Sequence, residues 1–270
     1  VSFRVQALAL AVVVLLIIDY LKSKKLPLRS TLVFGCFLFV GAFNLVMDMV
    51  TYYTLLNYQM VPSALNRFLH ILFIGSLELM AMLIFIYVFY LYGAQKRFSV
   101  CQIILCVVPF LLTAVGSAVM PIEYVVDERG CYSTGMTVYL LYASIIIYIT
   151  LTCVLLFRKN NDRLHGDALA DYNKAKVTIS IGLAIWVVVA GIQFITRYVL
   201  ISSIGNSLML LYIYLNFENP KRFADDETDT LNRQAFHIMV PEMLARKKTF
   251  WLLSFTVDDI EQISKSMGYD

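Results

Sequence analysis

Charge is scarce in this sequence. Only 15% of its 270 residues are Asp, Glu, Lys or Arg, 60% are hydrophobic, and the mean hydropathy is +0.73. A soluble domain carries about 25% charge, so the composition argues against a water-soluble globule and for a polytopic membrane chain with a small polar piece. Paired cysteine spacing is lacking too. Cys36, Cys101, Cys106 and Cys153 lie in apolar runs, where Cys behaves as a small hydrophobe, and Cys131 stands in a polar loop with no evident partner. A disulfide framework or a zinc site is not expected. No internal repeat is visible, which counts against most transporter folds. The last apolar run, VLISSIGNSLMLLYIYLNF, has no Lys, so a retinal Schiff base has nowhere to form.

What is present is a series of seven apolar runs, at roughly 5–21, 31–55, 68–92, 99–119, 137–157, 177–196 and 199–217. Each is long enough to cross ~30 Å of hydrocarbon. Positive charge follows the first run (Lys22, Lys24, Lys25, Arg29) where a signal peptide would have it in front. The loops reached after runs 1, 3, 5 and 7 hold thirteen Lys and Arg, from Lys22 to Arg222; the other side holds Arg4, Arg67, Arg129 and Arg197. The richer side is cytoplasmic by the positive-inside rule, which puts the N-terminus outside and the polar tail inside. The expected fold class is an all-α membrane protein, a seven-helix bundle over 1–217, with a linker at 218–229 and the start of an α/β domain at 230–270. The outer loop, Met120 to Met136, has two β-prone runs around Asp127-Glu128-Arg129-Gly130 and reads as a hairpin lid. The inner loop from Arg158 to Lys176 reads as solvated, with a second half able to extend the sixth helix.

Ionisable and amide groups inside a bilayer are costly and mark function. Asn44, Asp48, Tyr52, His70, Gln193, Arg197 and Asn206 fall in the outer half of their runs, and Glu78 near the midplane. They are the candidate ligand-binding residues of a pocket open to the outside; internal pairs that fix packing, such as Asp48 with Arg197, are the alternative. No cofactor, metal site or catalytic residue is expected in this stretch.

The tail begins with Glu218-Asn219-Pro220, which ends the seventh helix. TDTLNRQAFHIMVPEMLARKK then reads as an amphipathic helix, with Leu231, Phe236, Met239, Met243 and Leu244 inward. FWLLSFTV follows at strand length, and DDIEQISKSMGYD returns to helical spacing. This order resembles the N-terminal end of a GGDEF domain, the diguanylate cyclase family, whose pattern opens D-x-L-T-G-L-x-N-R-R-x-F. Thr228, Asn232, Arg233 and Phe236 fit it, with Leu231 apolar just before Asn232. The family's next motif, D-x-D-x-F-K-x-I-N-D-x-x-G-H, meets Thr256 to Tyr269, where Asp258, Ile263 and Gly268 keep register. The departures imply a degenerate nucleotide site. Thr256 replaces the Asp that binds Mg²⁺, Ser264 replaces the nucleotide-contacting Asn, and Lys265 reverses a charge.

Together these readings lead us to expect a bacterial inner-membrane receptor. It would sense an external small molecule and control a non-cyclising GGDEF-like output in cyclic di-GMP signalling. The chain itself reads as a segment of a longer protein, and the resemblance implies that a phosphodiesterase domain often follows. An active cyclase, a transporter or channel with a regulatory tail, and a plain membrane anchor are the rival readings. The expected partners are the ligand, membrane lipid and, by the resemblance, a second copy of the chain; nothing points to nucleic acid.

Overall fold

The structure is a computed structural model that describes residues 2–92, 98–127, 130–157, 167–196, 201–225, 227–228, 230–255, 258 and 266. Its helices are α1 (Ser2–Lys22), α2 (Arg29–Leu56), α3 (Ser63–Tyr92), α4 (Val100–Val119), α5 (Met136–Phe157), α6 (Asp167–Ile195), α7 (Ser202–Ile213) and α8 (Arg233–Ala245). The first six are long and apolar enough to cross a membrane, with mean hydropathies of 2.0 to 2.4. The chain is therefore an all-α, multi-pass membrane protein. The seventh apolar run forms α7, which is twelve residues long and continues as a π-helical turn from Tyr214 to Glu218.

α2 and α3 are the centre. More than half of their spanning windows is buried (56% each), against 22% to 33% in the other four. α1 and α7 pack on one flank, with α6 outside α7; α4 and α5 pack on the other. Small residues allow the close approaches, as expected where helices associate in lipid. A Cβ on Gly205 of α7 would meet Val189 of α6 at 2.7 Å, and one on Gly116 of α4 would run into Leu140 of α5. At the end away from the hairpin, the Phe34 ring stacks on Tyr214, meets Tyr20 edge-on and tilts against Tyr87.

Local sequence explains several ends. Ser99 and Gln102 form a reciprocal capping box at the start of α4. α6 does begin inside the inner loop, about three turns before its apolar run. The loop between α4 and α5 folds as expected into an antiparallel hairpin, β1 (Glu123–Asp127) on β2 (Gly130–Thr134), with Glu123 opposite Thr134 and Asp127 opposite Gly130. Gly135 then turns the chain into α5 with a φ of +103°, which side chains with a Cβ rarely adopt.

The tail departs from expectation. α8 forms, capped by the Asn232 side chain, which accepts from the Ala235 N–H. Among its described side chains Ala235 and Glu242 are buried and Met239 and Met243 half-buried, while Leu231, Phe236 and Leu244, also expected inward, are exposed. The helix docks through polar bonds. Glu242 Oε1 accepts from the Arg29 N–H at 2.9 Å, and Arg246 donates to the Pro27 carbonyl at 3.0 Å. Residues 250–255 take no strand conformation, because no strand lies alongside to complete their hydrogen bonds among the described residues. The expected second helix, Thr256, Ser264 and Lys265 lie outside the described residues, save Asp258 and Ser266.

Candidate ligand pocket

Under the hairpin, α2, α3, α5 and the C-terminal end of α6 enclose a cavity of about 100 Å³. One water needs roughly 10–15 Å³ by the same measure, so several waters or a small organic molecule fit. α2 contributes Asp48, Thr51, Tyr52 and Leu55; α3 contributes His70, Phe73, Ile74 and Leu77. Tyr132, Ser133 and Thr134 of β2 form the roof, and Tyr139, Tyr142, Gln193 and Phe194 close the far wall. Aromatic faces around a few polar groups are the usual make-up of a small-molecule site.

The polar groups are held by bonds to other helices. Asp48 accepts from the Gln6 side chain of α1 at 2.8 Å. His70 bonds through Nδ1 to the Asn66 carbonyl at 2.9 Å. A carbonyl only accepts, so Nδ1 carries a hydrogen, and in the neutral ring Nε2 is left as an acceptor. The same ring meets Tyr124 of β1 edge to face at 4.8 Å, which ties α3 to the lid. Gln193 Oε1 accepts from the Ser202 N–H at 2.6 Å. It thereby caps α7, whose own N-cap residue, Ile201, offers no side-chain bond.

No protein family, curated protein or solved structure matches this chain. The site has to be read from its own geometry.

That geometry divides the eight candidate residues. Asp48, Tyr52, His70 and Gln193 line the cavity together. Arg197 lies outside the described residues. Asn44 and Asn206 do not line the cavity; they sit in a buried relay. Trp186 Nε1 donates to Asn206 Oδ1 (2.7 Å), Asn206 Nδ2 to Asn44 Oδ1 (3.1 Å), and Asn44 Nδ2 to Ser76 Oγ (2.8 Å). Ser76 passes its own hydrogen to the Phe73 carbonyl. Four helices are thus pinned by side chains that would otherwise be orphaned in an apolar interior. Glu78 is also outside the pocket, on a face of α3 turned towards α4 and α5, where Ser144 donates to it. Gln6 is the site residue that sequence reasoning passed over, although it is a lone amide in an apolar run. The roof residues had no periodic signal to expose them.

Proposed function

We propose that the chain is a membrane receptor whose outward-facing pocket takes a small polar molecule and passes the event to a cytoplasmic tail. The cavity beneath the hairpin carries this reading. It combines a carboxylate, an imidazole, an amide and several hydroxyls on an aromatic wall, all in the half of the bundle that the charge bias puts outside. α2 supports the second half of the proposal. It holds Asp48 at the pocket and, nineteen residues or about 28 Å away along its axis, the Arg29 amide that Glu242 of the tail helix caps. A ligand that shifts α2 between two positions would change the fit of the tail.

In this reading α7 with its π-helical turn is the seventh span. The tail is the start of a GGDEF-like domain in a bacterial inner-membrane protein that works as a dimer in cyclic di-GMP signalling. The Thr228 and Asn232 positions of that motif have a local task that fits. Asp225 Oδ1 accepts from the Glu227 N–H, the Thr228 N–H and the Thr228 hydroxyl. Asn232 donates to the Arg222 and Ala224 carbonyls while capping α8. A folded turn of this kind fixes how the output domain leaves the membrane.

Three experiments test the proposal. A thermal-shift screen of small polar metabolites on the detergent-purified chain should find a ligand whose effect disappears when Ser133→Trp fills the cavity; binding that survives the substitution places the site elsewhere. Incubation of the protein with GTP and Mg²⁺ should yield no cyclic di-GMP. Product would restore the active-cyclase reading, and solute flux in proteoliposomes would favour the transporter.

A further inference from the structure

Glu78 is the acid the pocket does not use. It lies near the middle of α3 with no exposed surface. Ser144 of α5 donates to Oε1, and the Thr113 hydroxyl of α4 lies beside the same carboxyl. Yet Glu78 Oε2 and Thr113 Oγ1, both fully buried, complete no hydrogen bond. The Thr113 hydroxyl is close enough to act on the carboxyl, but the two complete no hydrogen bond of normal geometry. Buried polar atoms are rarely orphaned without a reason, and a role in taking up water or an ion is a common one.

The surroundings supply no counter-charge among the described residues. Tyr148 of α5 is the titratable group facing the carboxyl, with Cys106 of α4 behind it. Tyr148 is occupied, since its hydroxyl donates to the Cys106 carbonyl at 2.6 Å. α2, the other neighbour of α3, directs Asn44 at Ser76 and Thr54 at Asn66, and no charge from it acts on Glu78. An ionised carboxylate left alone in an apolar bundle is strongly disfavoured.

We propose that Glu78, Thr113 and Ser144 form a monovalent-cation site inside the bundle, holding a proton or Na⁺ in exchange. With a proton on Oε2, the carboxyl is neutral and donates to Thr113 Oγ1. With Na⁺, the carboxylate and the two hydroxyls supply hard oxygen ligands. The exchange balances: carboxylic acid plus Na⁺ gives the sodium carboxylate plus a released proton. This site is separate from the ligand pocket, so its occupancy can be read with the pocket empty.

The test uses the full chain in detergent. Infrared spectra record the carbonyl stretch of protonated carboxyls from pH 5 to 9, in choline chloride and in NaCl of equal ionic strength; thermal midpoints are measured in the same buffers. We expect a protonated-carboxyl band that fades as pH rises or as Na⁺ replaces choline, and that Glu78→Gln removes. A midpoint that rises with Na⁺ identifies the sodium form, and a response to pH alone identifies the proton. Thr113→Val and Ser144→Ala, which keep the carboxyl, should shift the pH or Na⁺ midpoint and leave the band in place, so the test stands even if Glu78→Gln does not fold. A band that stays constant across pH and salt, or responses that Glu78→Gln retains, would overturn the proposal.

Discussion

Asn206→Ala removes the middle of the buried relay, and its cost can be worked from the bonds. Asn206 accepts from Trp186 and donates to Asn44, so the substitution deletes two interhelical hydrogen bonds at once. Such bonds within a bilayer average ~0.6 kcal/mol and reach ~1.7, so the expected loss is about 1.2 kcal/mol and at most about 3.4. Part of that loss is the desolvation cost left on the orphaned Trp186 N–H and Asn44 Oδ1. The cycle with Asn44→Ala isolates the direct bond and should return a coupling of about 0.6 kcal/mol. The protein carries two tryptophans, and Trp251 is 95% exposed. In a Trp251→Phe background, Trp186 alone therefore reports, and denaturant titrations can follow its emission. The expected result is a lowered midpoint with altered Trp186 emission in the folded state. An unchanged midpoint, or zero coupling in the cycle, would refute the relay as the pin between α2, α6 and α7.

Three further predictions concern the tail. Glu242→Gln should weaken the cap on α2 and the tie to Arg246, 3.6 Å away; a loss of about 1 kcal/mol is expected, seen as faster proteolysis of α8 with the outer half unaffected. Lys247→Gly should stabilise the tail by up to about 1 kcal/mol. Lys247 ends α8 at a φ of 53°, while the Lys247 and Lys248 amides bond back to Leu244 and Met243; hydrogen exchange of those amides should slow. Asp225 is held below the usual carboxylate range by the Thr228 N–H and hydroxyl. Its folded pKa is depressed, so the turn is intact above the ordinary carboxylate pKa and loosens as pH falls through the lowered one. Asp225→Asn should abolish that response in the Thr228 amide resonance.

How much of this was legible in the sequence depends on the element. Six helices were readable because lipid demands long apolar runs with few charges, and little else satisfies that demand. The hairpin was readable from two β-prone runs around Asp127 to Gly130. α8 was readable from its amphipathic spacing, yet its inward face was only partly so. Its apolar spacing points Leu231, Phe236, Met239, Met243 and Leu244 inward; Met239 and Met243 are half-buried beside Glu242, while the other three are exposed and the helix is held by one carboxylate and one guanidinium. For the pocket, residue spacing gives depth along a helix and leaves open which neighbour each face meets. Asp48, Tyr52, His70 and Gln193 share a depth and a cavity. Asn44 and Asn206 lie close to them in depth and turn towards another helix pair, and Glu78 turns towards α4. Only tertiary packing separates these cases.

The seventh helix is fastened at both ends by other helices. At its start, Gln193 of α6 holds the Ser202 amide; at its end, Tyr214 reaches Asp19 of α1, and Tyr87 of α3 reaches Glu218 at 3.0 Å. A rod tethered in this way cannot slide along its axis without breaking one tether. Rotation about the axis is the cheaper motion, because each tether can follow by a change of side-chain rotamer. On the proposed receptor reading, a signal that entered at Gln193 would then emerge as a twist at Glu218, and the turn built on Asp225 would feel torque where a piston would have delivered thrust.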